Sequence, residues 1–352
     1  MIAGMAVLTL GADALVRGAS RLARRLGMSS LLVGLTVVAL GTSMPEIAVS
    51  VGSALLGDGG VALGNAVGSN IFNILVVLGG SAAIRPLLVD RQLVRQDVPV
   101  MVATAVLMLL LSLDGRLSRL DGAVLLTLGI AYTVLLVIVG MKAQDEADPE
   151  EPVPSRGPAS IPAQLAWIAA GMGALILGAR LLVGGAETVA RGLGVSELII
   201  GLTVVAAGTS LPELATSFVA AARGERDLAA GNVVGSNIFN ALLVLGIGAA
   251  IMGGDGIPVP LGIRTFDLPL LLAVSVACLP IFFTGWSISR WEGWVFLAYY
   301  AAYLAHVILE QTQHEAQAGL RAMLVFFALP MTALTLGILV TREVRRRRTR
   351  ST

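Results

Sequence analysis

Apolar stretches long enough to cross a membrane recur along almost the whole chain, separated by short polar turns. A bilayer core of ~30 Å requires a helix of about 20 apolar residues, and the stretches have roughly that length. They lack the alternation of polar and apolar residues that is typical of membrane β-strands. We therefore predict an all-α polytopic membrane protein. Its spans are predicted over residues 2–16 (continuing as a helix to 25), 30–56, 61–84, 98–113, 123–141, 163–183, 197–222, 228–252, 268–283, 293–309 and 320–340.

Residues 142–162 interrupt this pattern with acidic side chains and five prolines, a composition typical of a solvated linker. The linker separates a first half, residues 1–141, from a second half, residues 163–310, and each half carries five predicted spans. An additional C-terminal span over 320–341 has no counterpart in the first half. A basic tail, residues 342–352, follows that span.

Two motifs occur once in each half, and corresponding residues are always 167 positions apart. The first motif, Gly-Thr-Ser-x-Pro-Glu, ends at Glu46 and again at Glu213. The second, Gly-Asn-x-Val-Gly-Ser-Asn-Ile-Phe-Asn, ends at Asn73 and again at Asn240. Because each half has an odd number of spans, the second copy must lie upside down relative to the first. This arrangement is typical of secondary transporters built from inverted repeats.

Composition and charge exclude several classes of protein. Hydrophobic residues make up 56% of the chain and charged residues only 13%, against about a quarter in ordinary soluble proteins. The net charge of +1 gives no indication of nucleic-acid binding. Cys278 is the single cysteine, so neither an intrachain disulfide nor a thiolate metal site is expected. The first apolar stretch has no small-residue cleavage site, and we interpret it as a span rather than a signal peptide.

The distribution of basic residues predicts the orientation in the membrane. On one side, the predicted connections and the tail carry 18 of the 24 lysine and arginine residues. Basic residues are enriched on the cytoplasmic side of membrane proteins. We therefore predict a multi-pass protein of the cell membrane, with its N-terminus outside and its linker and arginine-rich tail in the cytoplasm.

The first motif combines a helix break with oxygen ligands. Pro45 has no N–H and its ring clashes with the preceding turn, so the carbonyl of Gly41 is freed from its helical hydrogen bond. Thr42 and Ser43 add hydroxyl oxygens, and Glu46 lies one helical turn further on the same side. Carbonyl, hydroxyl and carboxylate oxygens are the ligands that a hard cation such as Ca2+ prefers. Thr209, Ser210, Pro212 and Glu213 repeat the arrangement in the second half.

The second motif adds a polar stripe beside each break. Asn65, Ser69 and Asn73 are four residues apart, and Asn232, Ser236 and Asn240 are spaced in the same way. The glycine pairs 64/68 and 231/235 predict that these helices pack closely against a neighbour. A single Gly…Pro sequence in a membrane helix is usually only a kink. A buried glutamate, however, costs about 3 kcal/mol to insert, and two equivalent copies favour a functional site.

These motifs resemble the repeats of the calcium/cation antiporter superfamily, in its prokaryotic sodium/calcium exchanger branch. The resemblance covers the first ten predicted spans. It implies a ten-helix core of two inverted five-helix repeats, with ions bound between helices 2, 3, 7 and 8. The implied metal ligands are Glu46, Ser43, Thr42, the Ala39 carbonyl, Ser69 and Asn73, together with Glu213, Ser210, Thr209, the Ala206 carbonyl, Ser236 and Asn240.

Two departures from relatives bear on the transported ions. Potassium-dependent relatives carry aspartate where this chain has Asn240, so the resemblance does not extend to potassium coupling. Proton/calcium relatives carry glutamate where this chain has Gly68 and Gly235, which favours sodium over protons. The eleventh predicted span also exceeds the ten-helix core.

The leading functional hypothesis is an antiporter that exports Ca2+ in exchange for Na+, electrogenically and by alternating access. Its nearest rival is a proton-coupled or other divalent-cation exchanger. A cation channel is less favoured, because a pore usually needs symmetric subunits or a filter loop. An intramembrane hydrolase using Ser43 is disfavoured, because neither motif contains a histidine base.

We thus expect no enzymatic activity and no cofactor beyond the transported ions. Membrane lipids are the expected surroundings, with no nucleic acid and no obligate protein partner.

Overall fold

A computed structural model describes residues 1–146, 161–194, 206–254, 256–312, 314–324 and 329–350. Within these ranges, eight helices are long and apolar enough to cross a membrane. A ninth crossing is a pair of helices that meet at a bend of 41°. The prediction of an all-α polytopic membrane protein is confirmed.

The first half contains six helices, of which α2 and α3 are the bent pair. Pro45 lies in the first turn of α3, where its missing N–H is tolerated. The break therefore falls at Ser43, as Pro45 predicts. The helices are α1 (Ile2–Arg25), α2 (Ser30–Thr42), α3 (Met44–Leu55), α4 (Gly59–Ile84), α5 (Leu93–Leu111) and α6 (Arg119–Glu146).

The second half repeats this order. The helices are α7 (Ile161–Gly192), α8 (Ala206–Gly208), α9 (Leu211–Arg223), α10 (Arg226–Ile251), α11 (Ile263–Phe283) and α12 (Arg290–Gln311). Both α9 and α10 begin 167 residues after α3 and α4. The span predicted over 197–222 lies partly outside the described residues, which resume at 206.

The helices differ from the predicted boundaries at the end of the first half and in the C-terminal region. The linker was expected to begin at residue 142, but α6 continues to Glu146 because its last residues, Lys-Ala-Gln-Asp-Glu, are mostly good helix formers. The eleventh span, predicted over 320–340, falls on α13 (Ala316–Met323) and α14 (Leu329–Arg350), and residues 325–328 lie outside the described ranges. Tyr299 of α12 is hydrogen-bonded to Thr332 of α14. That α14 crosses the membrane stays a prediction.

Four short strands, which the apolar pattern does not reveal, join the two halves. β1 (Leu87–Leu88) pairs antiparallel with β4 (Ser287–Ile288), and β2 (Arg116–Leu117) pairs antiparallel with β3 (Ile257–Pro258). A membrane-crossing α5 separates β1 from β2 and places them on opposite faces. β3 follows α10 as β1 follows α4, yet it pairs with β2. The two halves are therefore inverted, as the odd number of spans requires.

Among the described residues, wide helical turns occur in five of the crossings: within α2, α4 and α10, and at the starts of α5 and α11. The N–H of Ala39 bonds to the carbonyl of Gly34, and the N–H of Leu245 bonds to that of Asn240, each five residues back. Similar turns begin α5 and α11 five residues earlier than predicted, ahead of Pro99 and Pro269. Such π-turns are frequent at functional sites.

Helices α1 and α7 pack backbone to backbone along glycines spaced seven residues apart. A Cβ added at Gly11 would lie 2.7 Å from the Leu175 nitrogen, and one at Gly178 would lie 2.5 Å from the Leu8 nitrogen. These distances are too short for any side chain, so the seam depends on glycine. Its glycines are Gly4, Gly11 and Gly18 on α1, and Gly171, Gly178 and Gly185 on α7.

The inverted topology makes a direct prediction for labelling. Asp58 and Glu225 occupy corresponding turns, before α4 and α10, and are both accessible to solvent. In a Cys278→Ser background, we expect an impermeant thiol reagent to label Asp58→Cys from outside intact cells. Glu225→Cys should be labelled only after the cells are permeabilised. Labelling of both positions from the same face would contradict the inversion.

Candidate cation-binding site

The two helix breaks lie against each other in the centre of the protein. Glu46 is in the first turn of α3 and Glu213 is in the first turn of α9. Both carboxylates are completely buried. The two helix breaks therefore bring two acidic side chains, one from each half, into the buried interior of the protein.

Serine hydroxyls hold the two carboxylates crosswise. The Oγ of Ser43, in the first half, donates to Oε1 of Glu213 at 3.2 Å. The Oγ of Ser210, in the second half, lies 3.0 Å from Oε1 of Glu46 and 3.0 Å from Oγ of Ser69. A hydroxyl can donate to one of these partners and accept from the other. Each glutamate therefore accepts a hydrogen bond from a serine of the opposite half.

Several buried polar atoms at the breaks have no partner in the part of the chain that the structure describes. They include Oε2 of Glu46, Oε2 of Glu213, and both amide atoms of Asn73 and Asn240. Buried carboxylate oxygens without a partner are costly, because nothing replaces the water that solvated them. Carboxylate and amide oxygens without another partner are the kinds of ligand that a hard cation prefers.

The remaining predicted ligands lie around this centre. The carbonyl of Ala39 accepts from the Ser43 N–H at 3.0 Å and from the Ser236 hydroxyl at 3.4 Å. Thr42 and Thr209 face the asparagines of the opposite stripes. Ala206 begins α8. The predicted residues are thus gathered at the two breaks and on the helices α4 and α10 beside them.

Neutral groups must complete any site here. Within the described ranges, no three histidine, cysteine, aspartate or glutamate side chains are grouped so that they could hold a metal ion. Two carboxylates supply about two negative charges when both are ionised. The oxygens of hydroxyls, amides and carbonyls therefore make up the rest of a coordination shell of six to eight.

Two residues that were not among the predicted ligands also contact the breaks. Asn65 donates from Nδ2 to the carbonyl of Glu46 at 3.2 Å, and Asn232 donates to the carbonyl of Glu213 at 3.5 Å. Their position in the polar stripes, whose residues are four apart, was the available signal. A third pair, Asn70 and Asn237, joins α4 to α10 through a 3.2 Å bond from Asn70 Nδ2 to the carbonyl of Asn237.

Close helix approach brings the stripe of α10 onto the first break. A Cβ at Gly235 would lie 2.7 Å from the Leu35 carbonyl and 2.7 Å from the Ala39 Cβ, and one at Gly231 would lie 2.7 Å from the Leu31 carbonyl. The prediction for this glycine pair is therefore confirmed. For Gly64 and Gly68, the corresponding neighbours would fall in residues 198–206, which lie mostly outside the described ranges.

A cavity of about 750 Å³ lies beside the second break, between α3, α7 and α9. Its wall includes Pro45, Thr209 and Pro212, with the charged side chains of Arg180 and Glu187 on α7. Thr209 and Asn65 are half-buried, whereas Thr42 is fully buried. Thr209 therefore connects the buried oxygens to this cavity.

Comparison with known families gives a match over most of the chain. Residues 1–138 and 163–309 match the model of the family described as sodium/calcium exchanger protein. The two matched segments correspond to the two halves and omit the linker. The match ends before α13 and α14.

Individual proteins also resemble the chain over most of its length. Sodium/calcium exchanger MaX1 of Methanosarcina acetivorans is 31% identical over 343 residues, covering 86% of this chain and 96% of that protein. Putative antiporter CaxA of Alkalimonas amylolytica is 38% identical over 260 residues, covering 72% of this chain and 80% of that protein. A structure of the sodium-calcium exchanger NCX_Mj, soaked with Na+ and Ca2+, matches with a TM-score of 0.74 at 34% identity. It covers 87% of this chain and 96% of that chain.

Proposed function

This chain belongs to the sodium/calcium exchanger family, and from that premise we propose that it exports Ca2+ from the cytoplasm in exchange for Na+. Antiport of these two ions is what the family match and the similarity to NCX_Mj support. The direction, the charge moved and the residues that bind the ions are our proposals. Secondary transporters with inverted repeats bind their ions where broken helices meet, near the middle of the membrane.

The observation that carries the proposal is the pair of buried glutamates. Glu46 and Glu213 each keep one carboxylate oxygen free of hydrogen bonds while the other is bound by a serine of the opposite half. A cation between the free oxygens offsets the cost of burying two charges. We assign the predicted ligands to this site: Ala39, Thr42, Ser43, Glu46, Ser69, Asn73, Ala206, Thr209, Ser210, Glu213, Ser236 and Asn240.

Charge balance suggests how Na+ and Ca2+ compete. One Ca2+ neutralises two ionised carboxylates, and the neutral complex is the easiest form to move through a low-dielectric core. We propose three Na+ for each Ca2+, as the family resemblance implies, and three Na+ ions with the same carboxylates leave one positive charge. Exchange of three Na+ for one Ca2+ therefore carries one positive charge inward. Each such charge gains about 2.3 kcal/mol per 100 mV of inside-negative potential, which helps to drive Ca2+ out.

The orientation follows from the basic residues, 18 of which lie on the predicted cytoplasmic side. We place the protein in the cell membrane, with residues 142–162 and the tail at 342–352 in the cytoplasm. The halves 1–141 and 163–310 form the exchanger core, and 320–341 adds a further helix. In this orientation α7 ends outside, so the cavity beside Thr209 is our proposed route for ions from that side. We propose no enzymatic step, cofactor or obligate protein partner.

A proton-coupled exchanger is the alternative to be tested. The positions of Gly68 and Gly235 carry no carboxyl that could bind a proton. Gly235 also packs directly on Ala39, so a larger side chain does not fit there without displacing the helix. Sodium coupling is therefore favoured by both the composition and the packing of the site.

Charge removal at the centre tests the ligand assignment. Glu46→Gln and Glu213→Gln keep the size of the side chain but each removes one negative charge from the proposed ion site. We expect each variant to lose Na+-driven Ca2+ uptake into proteoliposomes, by at least a hundredfold, while its elution on size exclusion is unchanged. The amide is neutral and costs little to bury, so folding should be preserved.

Glu292→Gln is the matched control for these variants. Glu292 is also a buried glutamate, but it caps the start of α12 through the Ser289 backbone N–H. Glutamine can take the same capping role. We expect its Ca2+ uptake to stay within about twofold of wild type. Normal uptake by Glu46→Gln or Glu213→Gln would remove that residue from the proposed site.

Electrogenic exchange makes a prediction about membrane potential. With Na+ inside proteoliposomes and Ca2+ outside, three-for-one exchange moves one positive charge outward for each Ca2+ that enters. An inside-positive potential, set by valinomycin and K+, should therefore speed Ca2+ uptake, and an inside-negative one should slow it. Protein-free vesicles measure the leak. A rate that does not respond to the potential would indicate an electroneutral cycle.

A further inference from the structure

We propose that Asn65 and Asn232 are positioning residues that turn the hydroxyl groups of Thr209 and Thr42 so that their lone pairs face the ion. This inference rests on the proposed function, because it requires the two threonines to be ion ligands. Neither asparagine is itself assigned to the ion. Each would act through a threonine of the opposite half.

The hydrogen bonds run crosswise between the halves. Thr42, in the first break, donates from Oγ1 to Oδ1 of Asn232 at 3.1 Å. Thr209, in the second break, donates to Oδ1 of Asn65 at 3.3 Å. The same two amides hold the carbonyls of Glu213 and Glu46 through Nδ2. Each asparagine therefore ties the threonine of one break to the glutamate backbone of the other.

The orientation of the Asn232 amide follows from its partners. Its Nδ2 lies 3.5 Å from the carbonyl of Glu213, and a carbonyl can only accept a hydrogen bond. Nδ2 also lies 2.9 Å from the Ser217 hydroxyl, which can accept as well. The oxygen Oδ1 must then face Thr42. Since an amide oxygen can only accept, the hydroxyl of Thr42 has to be the donor.

This assignment matters because a hydroxyl has a single proton. A hydroxyl that binds a cation must direct a lone pair at the ion and its proton away from it. Two other acceptors lie near Thr42, the Ala39 carbonyl at 3.4 Å and the carboxylate of Glu213, and both are proposed ligands. By accepting the proton, Asn232 leaves the threonine oxygen and these two acceptors available to the ion.

The two copies differ in their surroundings. Asn232 is completely buried, whereas Asn65 is half-buried and its hydrogen bond to threonine is longer. Water can replace a lost hydrogen-bond partner more easily at Asn65 than at the buried Asn232. We therefore expect removal of Asn232 to weaken ion binding more than removal of Asn65.

A double-mutant cycle separates positioning from a purely structural role. Asn232→Ala is made in wild type and in Thr42→Val, which keeps the shape of threonine but lacks the hydroxyl. We expect Asn232→Ala to raise the Ca2+ Kd of the purified protein about five- to tenfold in wild type, in line with the loss of one buried hydrogen bond. In Thr42→Val the same change should alter Kd less than twofold. Radioactive 45Ca2+ binding supplies the readout even for variants that do not transport.

Controls make each outcome decisive. Ser275→Ala removes a buried hydroxyl of α11 whose hydrogen bond goes to the Leu271 carbonyl of the same helix, and its Ca2+ Kd should be unchanged. A variant that aggregates on size exclusion is replaced by Asn232→Ser, and Asn65→Ala with Thr209→Val gives a second, independent cycle. Equal increases in Kd in both backgrounds, or no increase in wild type, would overturn the inference. If Glu46→Gln also binds Ca2+ normally in this assay, the proposed ion site fails as well.

Discussion

Two buried carboxylates from opposite halves of the chain impose the constraint on which the rest of the structure depends. Glu46 and Glu213 are fully buried, and each has one oxygen without a hydrogen-bond partner among the described residues. Two uncompensated charges in such surroundings are strongly unfavourable. Crosswise bonds from Ser43 and Ser210 stabilise one oxygen of each. We propose that the remaining oxygens bind the cation and that Na+ and Ca2+ compete for them.

Strand pairing and close helix packing hold the two halves, and with them these groups, together. The β1–β4 and β2–β3 pairs fix one half to the other at opposite faces, while the glycines of α1 and α7 let two long helices pack at backbone distance. The break at Ser43 supplies polar groups that an intact helix would consume in its own hydrogen bonds. The two inverted halves contribute similar residues with different exposure. Thr209 is half-buried and lines the cavity, whereas Thr42 is buried.

Local sequence pattern predicted the spans, the inversion and the residues of the two motifs, because these depend on composition, spacing and an odd number of helices. It could not predict which side chains pair. Ser43 bonds to Glu213 rather than to Glu46 three residues away, and only the packing of the halves decides that choice. The strands at Leu87 and Ile257 are two residues long and too short to leave a pattern. Asn65 and Asn232 belong to the predicted stripes, but the role that we propose for them depends on a threonine from the other half.

The central claim is that one divalent cation lies between Glu46 and Glu213, and locating the ion tests it most directly. Crystals of the protein soaked in Ca2+ and measured at long X-ray wavelength show calcium by its anomalous scattering. We expect one strong peak within about 2.3–2.6 Å of a carboxylate oxygen from each glutamate. Replacement of Ca2+ by Na+ in the soak should remove it. A calcium peak away from both glutamates, in crystals where Ca2+ is bound, would contradict the shared carboxylate site.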